Sequence, residues 1–255
     1  MIAECLARIR EYTKRDDRLR EATICSFDVR LPYANQSNDD STDIVVFGLN
    51  EAEYHPADLI LRENAGHILE DNSSKNFREF SAHDELQVRL AKEQSAGEAK
   101  KWYGKVRSFI GADASVVLGE FFFWSSVNTK VDFAKRYGTT FVRSPHLQFC
   151  RDQNIVLLAH YAPRLVIVSG SAARRCERLA EASLYNLVSD RDHHPVHLGR
   201  YPVRFYRERA NGRPWIFSPH FSGAHGVGLR DHGRFQELVI QKLGNTRPPC
   251  ASAAS

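Results

Sequence analysis

Two stretches near opposite ends of the chain concentrate side chains able to do chemistry. The first, VVFGLNEAEYHPAD (Val45 to Asp58), runs from apolar residues into Asn50, Glu51, Glu53, Tyr54, His55 and Pro56. The second, IFSPHFSGAHGVG (216–228), runs from an apolar segment into His220, Ser222 and His225, separated by glycines. Carboxylates and imidazoles accept and donate protons, while an amide can only orient water. Glycines let backbone approach a ligand closely. Both stretches read as strands that end in polar residues. In open α/β sheets ligands bind at the carboxyl ends of strands, and parallel strands deliver those ends to one side. Convergence of the two is the first expectation.

The elements that must position these groups can be read from apolar periodicity. Continuous apolar runs at 43–49 (DIVVFGL), 115–124 (SVVLGEFFFW), 164–170 (RLVIVSG) and 213–218 (RPWIFS) have the character of parallel strands covered on both faces. YPVRFYR (201–207) alternates instead, as an edge strand or a hairpin partner of 213–218 would. Helical patterns fall over 2–21, with Ile2, Leu6, Ile9 and Tyr12 on one face, and over 98–111, with Trp102, Val106, Phe109 and Ile110 in a stripe that stops at Gly111. Further helices are expected over 147–163, 171–182 and 231–243, the last aligning Phe235, Leu238, Val239 and Leu243. Alternating strands and helices predict an α/β fold, a three-layer α/β/α sandwich with a central, mainly parallel sheet of four to five strands. One domain is expected over 1–243, with 1–42 as an N-terminal helix and lead-in, 51–97 as a polar, partly helical insertion on the ligand side, and 244–255 as a disordered tail.

Composition narrows the class of protein without naming it. The chain has 255 residues, 42% hydrophobic and 26% charged, enough for a substantial core and unlike a disordered chain. Its net charge of +4 permits a polyanionic partner without requiring one. Cys5, Cys25, Cys150, Cys176 and Cys250 form no C-x-x-C pair, which speaks against a zinc ribbon or iron–sulfur framework. The charged N-terminus lacks an apolar signal region, and no run approaches the ~18 apolar residues of a bilayer span. A soluble, cytoplasmic protein with reduced thiols and no membrane contact is expected. His193, His194 and His197 have a spacing that could suit a metal, but three loop histidines are more often surface groups and are read as such.

The order of the pieces resembles the uracil-DNA glycosylase superfamily. In that family a first strand ends in Gly-Xaa-(Asp or Asn)-Pro, matched here by Gly48, Leu49, Asn50 and, in place of the proline, Glu51. A last strand ends in His-Pro-Ser, matched by His220, Phe221 and Ser222. Between them the family has a helix, a proline and a strand ending in Gly, followed by an Ala in the next helix. CRDQNIVLLAHYAPRLVIVSGSAARR (150–175) fits that order. The resemblance covers roughly 43–50 and 100–243, and it implies hydrolysis of a base–sugar bond in DNA, without metal or other cofactor.

Such a reaction builds oxocarbenium character on the sugar and negative charge on the departing base. An imidazole beside the base stabilises that charge, a role the resemblance gives to His220. Asn50 would hold the water, with Glu51 or Glu53 as the proton acceptor an amide cannot be. Gly48, Leu49, Tyr54, His55, Glu120 and Phe121 are expected around the substrate, although a Phe-rich strand is more often core. Uracil-specific members read the base with an Asn at the end of the second strand. GEFFFWSSVNT (119–129) has none cleanly there, since Asn128 falls late. Ser222 and the backbone from Gly223 would grip phosphates, and His225 or Val227 would fill the space left by a flipped base. Arg209 and Arg213, with Arg204 and Arg207, are expected beside the site, facing the phosphate backbone.

These departures point away from plain uracil. Some relatives excise hypermodified pyrimidines, such as glucosylated hydroxymethylcytosine, from phage DNA, and the expectation is a glycosylase acting on a flipped modified pyrimidine, with an antiviral role. The alternatives are ordinary uracil or damaged-base repair, and a nucleic-acid-binding relative without catalysis. DNA is the expected partner, and no obligatory protein partner is evident.

Overall fold

The first turns of the chain already show how spacing sets burial. Cys5, Ile9 and Thr13 recur every four residues and form the buried stripe of helix α1 (Ile2–Thr13). The expected helix over 2–21 is divided. Asp16 accepts the Arg18 backbone N–H at 2.8 Å, which starts a separate short helix, α2 (Asp17–Arg20). The structure, a computed structural model, describes residues 1–20, 22, 29–31, 42–48, 68–70, 78–80, 102–111, 114–124, 132–139, 143–170, 185–190, 196–198, 201–221 and 231–244.

After β1 (Val29–Leu31) and β2 (Ile44–Gly48) come β3 (Ile68–Glu70) and β4 (Arg78–Phe80), which pair antiparallel as a separate two-stranded sheet. The described residues of the 51–97 insertion are strand, a signal not evident in its sequence; the rest of it, where partial helix was expected, lies outside the described residues. The chain continues through α3 (Trp102–Ile110), β5 (Val116–Glu120), α4 (Asp132–Tyr137), α5 (Leu147–Tyr161) and β6 (Leu165–Ser169). It ends with β7 (Leu187–Ser189), β8 (Val196–Leu198), β9 (Tyr201–Glu208), β10 (Pro214–Ser218) and α6 (His232–Gly244).

The main sheet has eight strands in the order β1-β5-β2-β6-β10-β9-β7, with β8 also on β9. Its centre, β5-β2-β6-β10, is parallel throughout. The strands outside that centre pair antiparallel. The sheet is wider than the four to five strands expected, because β1, β7 and β8 are three-residue strands too short to leave a periodic signal.

Alternation along the parallel strands divides the core in two. Val45, Phe47, Val117, Val166 and Trp215 share one buried cluster with residues of α1 and α5. Ile44, Val46, Val116, Leu165 and Ile216 share the other with residues of α3 and α6. The fold is thus a three-layer α/β/α sandwich. Each fully buried Val, Ile or Phe contributes about 1.5–3 kcal/mol, which explains strands apolar on both faces.

A polar clamp aligns the start of these strands. Asp43 accepts the Ser115 backbone N–H at 3.0 Å and faces the Arg164 guanidinium at 3.3 Å, while its own N–H donates to Ser115 Oγ at 2.7 Å. Three strand starts are thereby held level, and equal strand lengths bring their far ends level too. On the α1 side, Tyr12 stacks on Phe149 with centroids 3.9 Å apart, and its hydroxyl meets His146 Nδ1 at 3.2 Å. His146 Nε2 lies 3.4 Å from Asp16. Burial lowers the His146 pKa from its ordinary value, against the opposing pull of Asp16.

Candidate functional site

The parallel strands run in the spatial order second-first-third-fourth, so the direction of winding reverses at β2. α3 and α5, which precede β5 and β6, pack on opposite faces, as right-handed crossovers in opposite directions require. The crevice at the carboxyl ends of β2 and β6 is therefore the topological switch point, where α/β sheets of this order bind ligands.

The last residues of the four strands form one level row. Gly48 is paired with Glu120, Phe47 with Val168, and Ser218 with Ser169. Glu120, Gly48, Ser169 and Ser218 consequently face the α3/α6 side together. The Glu120 carboxyl lies over Gly48: a Cβ added at Gly48 would come within 2.9 Å of Glu120 Cδ. A side chain at this position would have to displace the Glu120 carboxyl, which fills the space beside Gly48. Ser218 Oγ donates to the Pro219 carbonyl at 3.2 Å, while Ser169 Oγ is buried without a hydrogen-bond partner among the described residues.

On the other flank of the crevice, Gly170 ends β6 with φ +70° and donates its N–H to the Ser218 carbonyl at 3.1 Å. A Cβ here would stand 2.6 Å from His220 Cδ2. Two constraints, a left-handed backbone and an imidazole laid against it, therefore select glycine. Phe221, next in sequence, is buried, stacking on Phe109 at 4.7 Å and meeting Phe235 edge-on at 5.5 Å. This anchor fixes the backbone that carries the half-buried His220. It gives a physical reason for phenylalanine between the histidine and the serine of the exit.

The strand expected over 115–124 stops at Glu120, so this carboxylate stands at a strand end. Phe121 N–H donates to the Gly48 carbonyl at 3.1 Å as the last bond of the β2–β5 ladder, and the fully buried Asn154 of α5 then takes the Glu120 carbonyl, donating from Nδ2 at 3.1 Å. Sequence reading passed over Asn154, although an amide inside the apolar run NIVLLAHY was the available signal. It also passed over Ser169, whose signal was a hydroxyl between that strand's apolar run and its glycine.

The other expected site residues separate clearly. Gly48, Glu120 and His220 come to one edge of the sheet. Phe121 is completely buried, stacked on Phe47 at 4.8 Å and edge-on to Tyr185 at 5.4 Å, so its ring faces belong to the core and not to an open pocket. Arg209 and Arg213 require a correction. They sit in the β9–β10 turn at the amino end of β10, about 16 Å of strand away from His220's end. Arg213 there faces Glu208 at 3.6 Å. Arg207 lies 3.2 Å from Asp190, and Arg204 is exposed on β9 opposite Phe217. Leu49, Asn50, Glu51, Glu53, Tyr54, His55, Ser222, Gly223, His225 and Val227 lie outside the described residues, as do His193 and His194. His197 is on β8, where its carbonyl accepts from Arg234 at 3.4 Å. No described helix is long and apolar enough to cross a membrane. Comparisons of the chain with protein-family models, with curated proteins and with solved structures find no match.

Proposed function

We propose that this protein is a DNA glycosylase that hydrolyses the base–sugar bond of a flipped, modified pyrimidine and leaves an abasic site. The observation that carries this reading is the imidazole of His220, held against Gly170 at the switch-point edge of a parallel sheet whose first strand leads directly into Asn50. An N–H donor fixed beside the crevice supports charge developing on a departing base, and fixed donors of this kind lower a barrier because they need no reorganisation as the reaction proceeds. Asn50, two residues past Gly48, is the amide suited to hold a water beneath the sugar. Glu51 or Glu53 supplies a proton acceptor. A base must leave the duplex to reach such an edge-on crevice, so flipping is part of the mechanism.

The direct test is a screen for abasic-site formation by the purified protein. Its substrates are oligonucleotides carrying uracil, deaminated purines, 5-hydroxymethylcytosine and glucosylated 5-hydroxymethylcytosine. Release of a modified pyrimidine in preference to uracil is expected. Efficient release of uracil alone would return the protein to ordinary repair, and binding with no release from any substrate would leave a recognition protein without catalysis.

A further inference from the structure

Arg209 and Arg213 lie at the amino edge of the sheet, away from the crevice, but a different set of cations lies at the carboxyl edge. Helix α5 ends beside the start of β6, where Arg164 meets Asp43, so the start of α5 stands at the carboxyl edge. Residues just past the end of β5 fix the corner between α1 and α2 to that place. Trp124 Nε1 donates to Thr13 Oγ1 at 2.9 Å, and its ring centroid lies 5.9 Å from those of Tyr12 and His146. β5 is the neighbour of β2, one strand spacing of about 5 Å away, so the corner flanks the crevice.

Four exposed cations stand on this corner: Arg15 between α1 and α2, Arg18 on α2, Lys135 in the last turn of α4, and Arg143 just before α5. The described carboxylates around them are already engaged. Glu11 pairs with Lys14 at 3.4 Å, Asp17 pairs with Arg20, and Asp16 accepts the Arg18 backbone N–H and lies 3.4 Å from His146 Nε2. None of the four cations has a carboxylate partner among the described residues, whereas Arg207 and Arg213 each do. Two of the four are also held in place. Arg15 Cζ lies 5.3 Å from the centre of the Tyr12 ring, within cation–π range, and that half-buried ring is stacked on Phe149. Arg18 Nη1 donates to the Tyr137 carbonyl at 3.1 Å, and its guanidinium covers Gly138, where an added Cβ would come within 3.2 Å of Cζ. A guanidinium carries five N–H donors, so each retains donors for an anion and, being held beforehand, loses less freedom on binding one. We propose that this corner, built from α1, α2, α4 and the start of α5, is the surface that grips the phosphate backbone of DNA beside the crevice. Its contacts position the duplex without reading its sequence. The inference rests on DNA being the substrate.

The test is the salt dependence of binding to a short, fluorescein-labelled duplex of ordinary bases, followed by anisotropy, so that no base release is needed. Each phosphate contact adds about 0.9 to the steepness of log affinity against log salt. Arg15→Gln, Lys135→Gln and Arg143→Gln combined should reduce that steepness by about three units. Lys135→Gln with Arg143→Gln, which removes no contact among the described residues, should reduce it by about two. Arg15→Lys, which keeps the charge, should leave it unchanged. A wild type that does not bind the duplex overturns the inference, and so does a steepness that both neutralised variants retain. Binding to phosphatidylserine vesicles that the variants lose, while their DNA steepness persists, overturns it too, because the partner is then a membrane surface. A reduced steepness in a protein that releases no base leaves the surface standing and the glycosylase reading fallen. Base release with an unaltered steepness does the reverse.

Discussion

Gly48 and Gly170 occupy equivalent places on the two flanks of the crevice but are glycine for different reasons, and substitution should separate them. Gly48→Ala meets no adverse φ, and the atoms nearest its added Cβ are those of the Glu120 carboxyl. It should leave thermal stability nearly intact while lowering base release by ~10²-fold, the cost of about a 1 Å misplacement. Gly170→Ala must in addition force alanine into φ +70°. About 1–2 kcal/mol of backbone strain should lower Tm by about 2–8 °C besides displacing His220. Equal melting temperatures for the two variants would contradict this division. Arg209 and Arg213 carry an opposite expectation. Their position at the amino end of β10 means that neutralising both should leave the slope of log affinity against log salt unchanged, whereas two phosphate contacts would lower it by about two units.

Helix α6 illustrates how an element can be read correctly in outline and incompletely in energetics. Its stripe of Phe235 and Val239 follows from 3.6-residue periodicity, but Lys242 on the same stripe is buried too. Its ammonium meets Asp190 Oδ2 at 2.9 Å and lies over the Phe205 ring at 4.7 Å. Burial alone would raise the Asp190 pKa, yet hydrogen bonds from Lys242 and Arg207 outweigh it and hold the carboxyl below its ordinary 3.8. Its stabilising contribution is present above that value and is lost as pH falls through the folded-state pKa. Lys242→Met leaves the buried Asp190 carboxylate with Arg207 but without its closer cation and should cost up to about 3 kcal/mol by urea unfolding, while Lys242→Met with Asp190→Leu should cost less. A double variant no more stable than the single one would refute that pairing. Periodicity made the parallel strands and the main helices legible because burial repeats along them. The Lys242–Asp190 pair, the Asn154 bond to the Glu120 carbonyl and the short strands were not legible. Each depends on partners 34 or more residues away or on segments too short to carry a period.

Taken together, the domain brings residues from four separate strands to one edge, and its stability should track two imidazoles, the buried His146 and the half-buried His232, that tie its outer layers down. His146 links α1 and α2 to the start of α5, and His232 meets Ser108 Oγ at 3.2 Å and packs against the Phe109 ring. Burial lowers both pKa values from the ordinary 6.5. The unfolded chain therefore binds more protons as pH falls through about 6.5, so stability should decline below that value and remain level above it. Thermal melts from pH 8 to pH 5 should show this decline, and His146→Gln with His232→Gln should flatten it. A slope unaffected by both substitutions would assign the acid sensitivity elsewhere. That the ends of β2 and β10 reach one edge was legible in the sequence, because parallel strands deliver their carboxyl ends to one side. The place of Glu120 at a strand end was not, since that strand was expected to run to Trp124. Nor was the shape of what these ends enclose, since it depends on Gly170's φ and on the Phe221 anchor. The most direct test of the proposed chemistry is the rate of abasic-site formation on DNA containing 5-hydroxymethylcytosine, measured in single turnover for wild type and His220→Ala. Removing one charge-stabilising donor should cost ~10²–10³-fold in rate with the melting temperature preserved. A His220→Ala protein that releases the base at the wild-type rate would contradict the assignment of this crevice as the catalytic site.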